Sequence, residues 1–304
     1  MNGVQSRRGP GSALGSLVRG VIIVSLALAF AGGLALLLAA DWLTHSNPTA
    51  LAADPPGLNT RDVEIPAADG VILRGTLVRP KATRGGVLLL HQRGGNRSAM
   101  WSRARILLDA GYTCLLMDQR AEGASDGTRR GFGLLEAPDI GPMLDALRKA
   151  VDGRPMAVLG VSKGAVATTL ASLPEDVKAV VLESAFGTLE NAIELRIREA
   201  VTGVHGALEF LTVLTPVLVG VTEWVAGVDA DDRPVDRVAG LRSAVLVITG
   251  DRDPFVPLET ARAMARKTEG ALLVVEGAGH RDVFRKAPDI WSTTVIDFLG
   301  EHLR

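Results

Sequence analysis

The sequence predicts an α/β domain built on a mostly parallel sheet with helices on both faces, carried behind an apolar N-terminal segment. Short continuous apolar runs recur from Asn59 onward, each followed by a helical pattern. Polar residues gather immediately after those runs, and a stretch of about twenty residues near the N-terminus carries no charge. Unbroken apolar strands interleaved with helices indicate a sheet buried on both faces. In such sheets the reacting groups lie beyond the carboxyl ends of the strands.

The chain has 304 residues, enough for one large α/β domain with appendages or two small ones. Its hydrophobic fraction of 47% is high for a wholly soluble protein, which directs attention to a membrane segment. Lys and Arg number 33 against 34 Asp and Glu, for a formal net charge of −1. That balance argues against a nucleic-acid surface, since phosphate contacts require a basic excess. The single cysteine, Cys114, excludes an intrachain disulfide and a cysteine-rich metal site. Its setting, "GYTCLLMD", reads as a buried strand, and one cysteine does not fix the redox compartment.

Residues 1–20 form a basic segment with Arg7, Arg8 and Arg19, and Val21 to Ala40 follow without a charge. That length matches the ~30 Å hydrocarbon layer of a bilayer. Asp41 is the first charge afterwards, so the positive-inside bias puts the N-terminus in the cytoplasm and the rest outside. The expectation is a single-pass signal anchor over residues 21–40, in contact with the lipid bilayer. The alternative is secretion after cleavage near Ala50-Leu51-Ala52, although that site lies far beyond the apolar core and the core is long for a signal peptide. Ser6-Arg7-Arg8 hints at twin-arginine export, but the residues that follow do not support it. Residues 41–58 have the Pro/Asn/Ala character of a linker, and residues 59–304 form the globular domain.

That domain opens with "DVEIPAADGVILRGTLVRP", a β-hairpin turning at Asp69-Gly70. The six apolar runs are Gly86–Leu90, Tyr112–Met117, Met156–Leu159, Ala179–Leu182, Ala244–Ile248 and Leu272–Val275. After them come, in order, His91-Gln92-Arg93-Gly94-Gly95-Asn96, Asp118 to Gly123, Ser162, Glu183-Ser184, Asp251-Arg252-Asp253 and Gly277 to His280.

Ser162 stands in Gly160-x-Ser162-x-Gly164 between a strand and a helix, the context of a nucleophile elbow. The glycines suit a sharp turn in which a β-carbon would collide with its neighbours. A serine N-cap would also explain the position. A P-loop would not, because no Ser or Thr follows a Gly-Lys pair. Serine catalysis needs a base that titrates near neutrality. Of the five histidines, His45 falls in the linker, His205 in an insertion and His302 at the C-terminus, leaving His91 and His280. His280 comes late in the chain, completing a Ser…acid…His order. Asp251 and Asp253 both offer the acid that would orient its imidazole. Asp253, before Pro254 in the turn beyond the strand, is the better placed, and the other reads as a turn cap. Two backbone N–H groups should receive the oxyanion. Lys163 supplies one and Arg93, beside Gly94-Gly95, the other.

Together "LLLHQRGGNRSAMW", "LDAGYTCLLMDQRAEGASDG", "LGVSKGAVATTL", "VLESAF", "VLVITGDRDPFVP" and "VEGAGHRDVF" resemble a known family. From about Leu58 to Arg304 the chain looks like an α/β-hydrolase of the small esterase or dienelactone-hydrolase-like type, related to the prolyl-oligopeptidase catalytic domain. The resemblance implies the α/β-hydrolase fold, with Ser162 as nucleophile, Asp253 as acid and His280 as base. It also implies a small helical lid over about residues 186–241 and no metal or organic cofactor. Apolar lid residues such as Phe210, Leu211, Val213, Leu214, Val217 and Leu218 suit an apolar acyl group, or serve only to pack the lid on the core. Three positions depart from the family pattern. Gln92 replaces a glycine after the loop histidine, Glu122 replaces a histidine in "RAEGAS", and Lys163 stands where an uncharged residue is usual. Lys163 is therefore expected to pair with Glu122, the alternatives being solvent or Glu183.

The function expected is a membrane-anchored serine hydrolase cleaving small-molecule acyl esters. A peptidase, amidase or thioesterase on the same fold is the alternative, as is a non-catalytic scaffold.

Overall fold

A computed structural model describes residues 10–46, 48–201 and 209–304. Helix α1 (Pro10–Thr44) precedes the hairpin β1 (Thr60–Pro66) and β2 (Ile72–Val78). Then follow β3 (Gly85–Leu90), α2 (Trp101–Asp109), β4 (Tyr112–Met117), α3 (Ile140–Ala150), β5 (Met156–Val161) and α4 (Lys163–Leu170). Strand β6 (Val177–Glu183) leads into α5 (Leu189–Val201), α6 (Thr215–Ala226) and α7 (Pro234–Arg237). The chain closes with β7 (Ala244–Gly250), α8 (Leu258–Lys267), β8 (Ala271–Val275), α9 (Val283–Lys286) and α10 (Pro288–His302).

The eight strands form one sheet in the order β1-β2-β4-β3-β5-β6-β7-β8. Only the β1–β2 and β2–β4 pairs are antiparallel; from β4 to β8 every pair is parallel. All six expected apolar runs are strands, and β5 and β7 run two residues further than expected. Alternation within the runs explains why both faces are covered. In β3, Leu88 and Leu90 pack with Met143, Leu144 and Leu147 of α3. Val87 and Leu89 pack on the opposite face with Leu107 of α2 and Trp291 and Leu299 of α10. Strand β5 divides the same way, Met156 and Val158 on one face and Ala157 and Leu159 on the other. Cys114 is buried in β4, as its apolar setting implied.

The insertion between β6 and β7 holds α5, α6 and α7, and its packing is separate from the two sheet layers. Phe186, Leu189, Ile193 and Leu218 form a third cluster with Phe132, Val166, Leu170 and Val256. Ala40 and Leu43, from the end of α1, belong to it too. Residues 202–208, including His205, and the side chains of Phe210 and Leu211 lie outside the described set.

Helix α1 continues four residues past the expected span, into the stretch read as linker. Its end is fastened: Arg129 pairs with Asp41 at 2.8 Å and the Arg130 N–H donates to the Thr44 carbonyl at 2.8 Å. Further on, the Asn96 side-chain amide donates to Thr49 Oγ1 (2.9 Å) and to the Ala50 carbonyl (3.0 Å). The Ala52 N–H donates to Ser98 Oγ at 3.0 Å. Composition signalled the lack of regular structure here but carried no sign of these contacts. Residues 49–52 are a strap laid across the loop after β3.

Candidate active site

Ser162 follows the last residue of β5 and precedes the first of α4, with φ 51° and ψ −109°. That backbone conformation is unfavourable for a residue with a β-carbon, costing on the order of 1–3 kcal/mol. Both ends hold it in place. The Ser162 N–H donates to the Glu183 carbonyl at 2.8 Å, and its own carbonyl accepts from Val166 N–H at 3.0 Å. The flanking glycines are required by contact. A β-carbon at residue 160 would fall 2.4 Å from the Gly164 carbonyl carbon, and one at residue 164 would fall 2.5 Å from the Leu90 carbonyl oxygen. A serine in such a turn is not an ordinary N-cap, and its side chain caps no N–H of α4.

The Ser162 hydroxyl points instead to His280 Nε2 at 2.8 Å. His280 Nδ1 lies 2.8 Å from Asp253 Oδ2. The tautomer that satisfies both neighbours carries the proton on Nδ1, donating to the carboxylate, while Nε2 accepts from the serine. The other Asp253 oxygen accepts the Phe255 and Val256 N–H groups at 2.8 and 3.0 Å, which fixes the carboxylate in its turn. The Phe255 ring meets the imidazole edge-on, centroids 4.7 Å apart. Asp251 bonds across to the loop after β8 rather than capping its own turn: its Oδ1 accepts the Gly277 N–H at 2.6 Å, and it is exposed. His91 has a different task. Its Nε2 accepts the Gln119 N–H at 3.1 Å, tying the end of β3 to the end of β4, and burial pushes its pKa down.

In the loop after β3, the Gly94 N–H donates to Glu122 Oε1 at 2.7 Å and the Gly95 N–H to the Gln92 carbonyl at 3.2 Å. Among the described residues, nothing accepts from the Arg93 N–H. The Lys163 N–H, first in α4, is one of the donors that helix geometry leaves without an intrahelical partner. The Arg93 side chain turns the other way. Its guanidinium donates to the Leu43 carbonyl at the end of α1 and lies 5.1 Å over the Phe132 ring. Burial, with Arg130 and Arg196 nearby, lowers its pKa to about 9, so it is still charged at neutral pH.

The Lys163 side chain is fully buried and enters a cluster of charges behind the elbow. Its Nζ lies 2.8 Å from Glu122 Oε2 and 3.0 Å from Glu136 Oε1. The first is a contact ion pair and the second an aligned hydrogen bond. Arg130 reaches Glu122 Oε1 at 3.0 Å. Glu136 also accepts the N–H groups of Gly131 and Gly133, at 3.0 and 2.8 Å. Burial alone would raise the Glu122 pKa. Lys163 and His91 beside it outweigh that and hold it at about 2. The expected Lys163–Glu122 pair is present, and Glu183 is engaged elsewhere, by Arg103 and by the Trp291 indole N–H at 3.0 Å. Glu136 and Arg130 escaped the sequence reading. The available signal was Lys163 itself, since a buried ammonium needs more than one acceptor.

Two broad surface clefts, of about 810 and 830 Å³, lie elsewhere. One is lined by Ser172, Val177 and Arg242 near the amino ends of β6 and β7, the other by Asp62, Arg79 and Lys149 beside β1. Neither is lined by Ser162 or His280.

A model of the alpha/beta hydrolase family matches residues 87–291, more than half of the chain. The chain belongs to the alpha/beta hydrolase family. It is 23% identical over 242 residues to the uncharacterized protein YqkD of Bacillus subtilis, covering 77% of each chain. It is 28% identical over 240 residues to the uncharacterized protein Rv2307c of Mycobacterium tuberculosis, covering 77% of this chain and 76% of that one. Among solved structures it resembles the Pyrococcus furiosus esterase Pf2001, with TM-score 0.70 and 21% identity over 86% of this chain and 99% of that one. An esterase from Exiguobacterium antarcticum gives TM-score 0.58 and 18% identity over 78% and 99%. The fold is thus that of the alpha/beta hydrolases, and hydrolysis is the chemistry the family supports.

Proposed function

We propose that the chain is a serine hydrolase that cleaves carboxylic esters, held at a membrane by α1. The observation that carries the reading is the Ser162–His280–Asp253 chain, with both links at 2.8 Å. His280 Nε2 takes the Ser162 proton as Oγ bonds to the acyl carbon, and Asp253 stabilises the imidazolium. The oxyanion is received by the Arg93 and Lys163 amides. The carbonyl re-forms as the alcohol leaves with the proton from His280, and water repeats the sequence to free Ser162 and the acid. The esterase names of the structural neighbours favour esters over amides or thioesters.

The anchor reading is supported by the apolar helix Gly15–Thr44, whose side chains through Ala35 lie exposed, and by Arg7, Arg8 and Arg19 ahead of its uncharged stretch. Residues 21–40 would span the bilayer, and residues 59–304, with the lid at 186–241, would lie on the extracytoplasmic side. Cleavage near Ala52 would give a secreted product instead. Two experiments test these readings. A fluorophosphonate probe should label the wild type and not Ser162→Ala, and the variant should lose hydrolysis of p-nitrophenyl esters while keeping its fold. Labelling that persists in Ser162→Ala would overturn the nucleophile, and an unlabelled wild type would favour the scaffold reading. Faster turnover of matched peptide amides than esters would favour a peptidase. Protein beginning near Ala53 in the soluble fraction would replace the anchor with a cleaved signal.

A further inference from the structure

Helix α6, with the turn that leads into it, carries an apolar face that none of the other described residues covers. Val213, Val217, Gly220 and Trp224 recur at helical spacing on its outer side, and Val213, Val217 and Trp224 are 77%, 51% and 78% exposed. The inner side is packed, with Leu218 and Thr222 buried. From Thr212 to Ala226 the sole charged residue is Glu223, and its carboxylate turns back to accept the Ala230 N–H at 2.6 Å. The charged run Asp229 to Arg233 begins only after the Gly227 cap. An uncharged helix face of this kind is unusual on a surface bathed in water.

Its neighbour indicates what covers it. Helix α6 packs along the last turns of α1, where Leu36, Ala39, Ala40 and Leu43 are drawn into the lid cluster. The small residues Ala39 and Ala40 permit close helix approach. From Val21 to Ala35, α1 is exposed and uncharged. The exposed apolar surfaces of the two helices therefore adjoin. Each helix also ends in an exposed tryptophan, Trp42 (61%) in α1 and Trp224 in α6, the residue type that gathers where a bilayer meets water. Inward, Leu218 shares a cluster with Phe186, Val166 and Val256. Val256 donates its N–H to Asp253, and Phe255 packs on His280.

We infer that α6 is a second membrane-contacting element. Its Val213–Val217–Gly220–Trp224 stripe lies in the interfacial layer of the bilayer that α1 crosses, and this brings the lid side of the Ser162 site against lipid. The substrates this arrangement serves are acyl esters dissolved in the membrane, which reach the serine from the lipid phase. The inference rests on the anchor and serine-hydrolase readings above, and the test separates them.

The full chain is reconstituted into phosphatidylcholine vesicles as two variants, Trp42→Phe and Trp224→Phe, each retaining one exposed tryptophan beside the buried Trp101 and Trp291. Brominated phosphatidylcholine should quench emission in both. Quenching in Trp224→Phe alone, with iodide in the water quenching Trp42→Phe instead, would keep the anchor and overturn the membrane-facing lid. Quenching in neither would overturn the anchor and with it the inference. A second arm compares Val217→Asp with wild type. Hydrolysis of a long-chain ester dissolved in the vesicles should fall about tenfold, while that of a water-soluble short-chain ester is unchanged. An unchanged ratio of the two rates would overturn delivery from the lipid phase.

Discussion

Ser162 and Lys163 are consecutive, yet their side chains enter opposite kinds of polar environment. Ser162 joins a chain of three groups in which a proton can move, ending on a carboxylate fixed by two backbone amides. Lys163 joins a closed cluster in which every charge is matched and nothing needs to move: Glu122 and Glu136 around it, Arg130 behind. The two systems meet at the backbone. Glu122, which holds the Lys163 side chain, also accepts the Gly94 N–H, so one carboxylate bears on both proposed oxyanion donors. The difference teaches how the elbow tolerates its strain. The proposed reacting side sets a strained serine against a histidine, and the opposite side holds the first turn of α4 with ionic contacts.

The largest effect should come from breaking the reacting side without touching the other. Asp253→Asn keeps an oxygen for the Phe255 and Val256 amides but presents the wrong partner to His280 Nδ1–H. Turnover of an ester should fall by about 10⁴, with thermal stability nearly unchanged. Asp251→Asn, which alters only the bond to Gly277, should leave turnover near wild type. Equal losses in the two variants, read as kcat, would show that the acid has been misassigned.

Breaking the other side should invert that pattern. Lys163→Met leaves Glu122 and Glu136 buried without their shared cation, and removing one partner of a buried ionic set costs about 3–5 kcal/mol. At roughly 2–4 °C per kcal/mol for a domain of this size, the melting temperature should fall by about 10 °C. Adding Glu136→Gln to Lys163→Met should recover much of the loss, because Glu122 keeps Arg130 and no carboxylate is left without a cation. A single Lys163→Met that melts like wild type would mean the cluster does not stabilise the elbow.

The two sides also differed in how far the sequence revealed them. Ser162, His280 and Asp253 were legible because each follows an apolar run, and the glycines at 160 and 164 announce close approach. Lys163 and Glu122 were legible as departures, two opposite charges on adjoining loops. Glu136 and Arg130 were not, because they sit in the Gly-rich loop between β4 and α3, where no periodicity assigns a direction to a side chain. The strap over residues 49–52 was hidden for a related reason: its bonds use backbone N–H and carbonyl groups and a threonine hydroxyl, which no local pattern marks out.

Acid should distinguish the two sides next. Within the fold Glu122 titrates near 2, below its ordinary 4.5, because Lys163 and His91 favour its charged form against the cost of burial. Its contribution is complete above about pH 4.5 and is lost as the pH falls toward about 2. Burial holds His91 below its ordinary 6.5, so its contribution has the same sign and begins to be lost as the pH drops past that value. The urea midpoint should therefore decline on acidification from near pH 6.5 downward and more steeply below 4.5. In Glu122→Gln the lower segment should flatten. A midpoint that rises on acidification would contradict both assignments.

The smallest effect tests whether α1 reaches the chemistry. The Arg93 guanidinium is held by the Leu43 carbonyl and by the Phe132 ring, while its backbone N–H is the proposed oxyanion donor. Arg93→Met keeps that N–H and removes the clamp, so the loop should lose its fixed position. The guanidinium is also buried near Arg130 and Arg196, which lower its pKa together with burial, so its removal relieves like-charge repulsion. Loss of the clamp and relief of repulsion act on different measurements. The ester kcat should fall roughly tenfold with KM unchanged, because a mispositioned donor affects the transition state rather than binding. The melting temperature should hold or rise slightly. Arg93→Lys, which retains a cation able to reach the Leu43 carbonyl, should restore part of the rate. If kcat and melting temperature fell together, Arg93 would be a packing residue, and the end of α1 would be joined to the fold without acting on the serine.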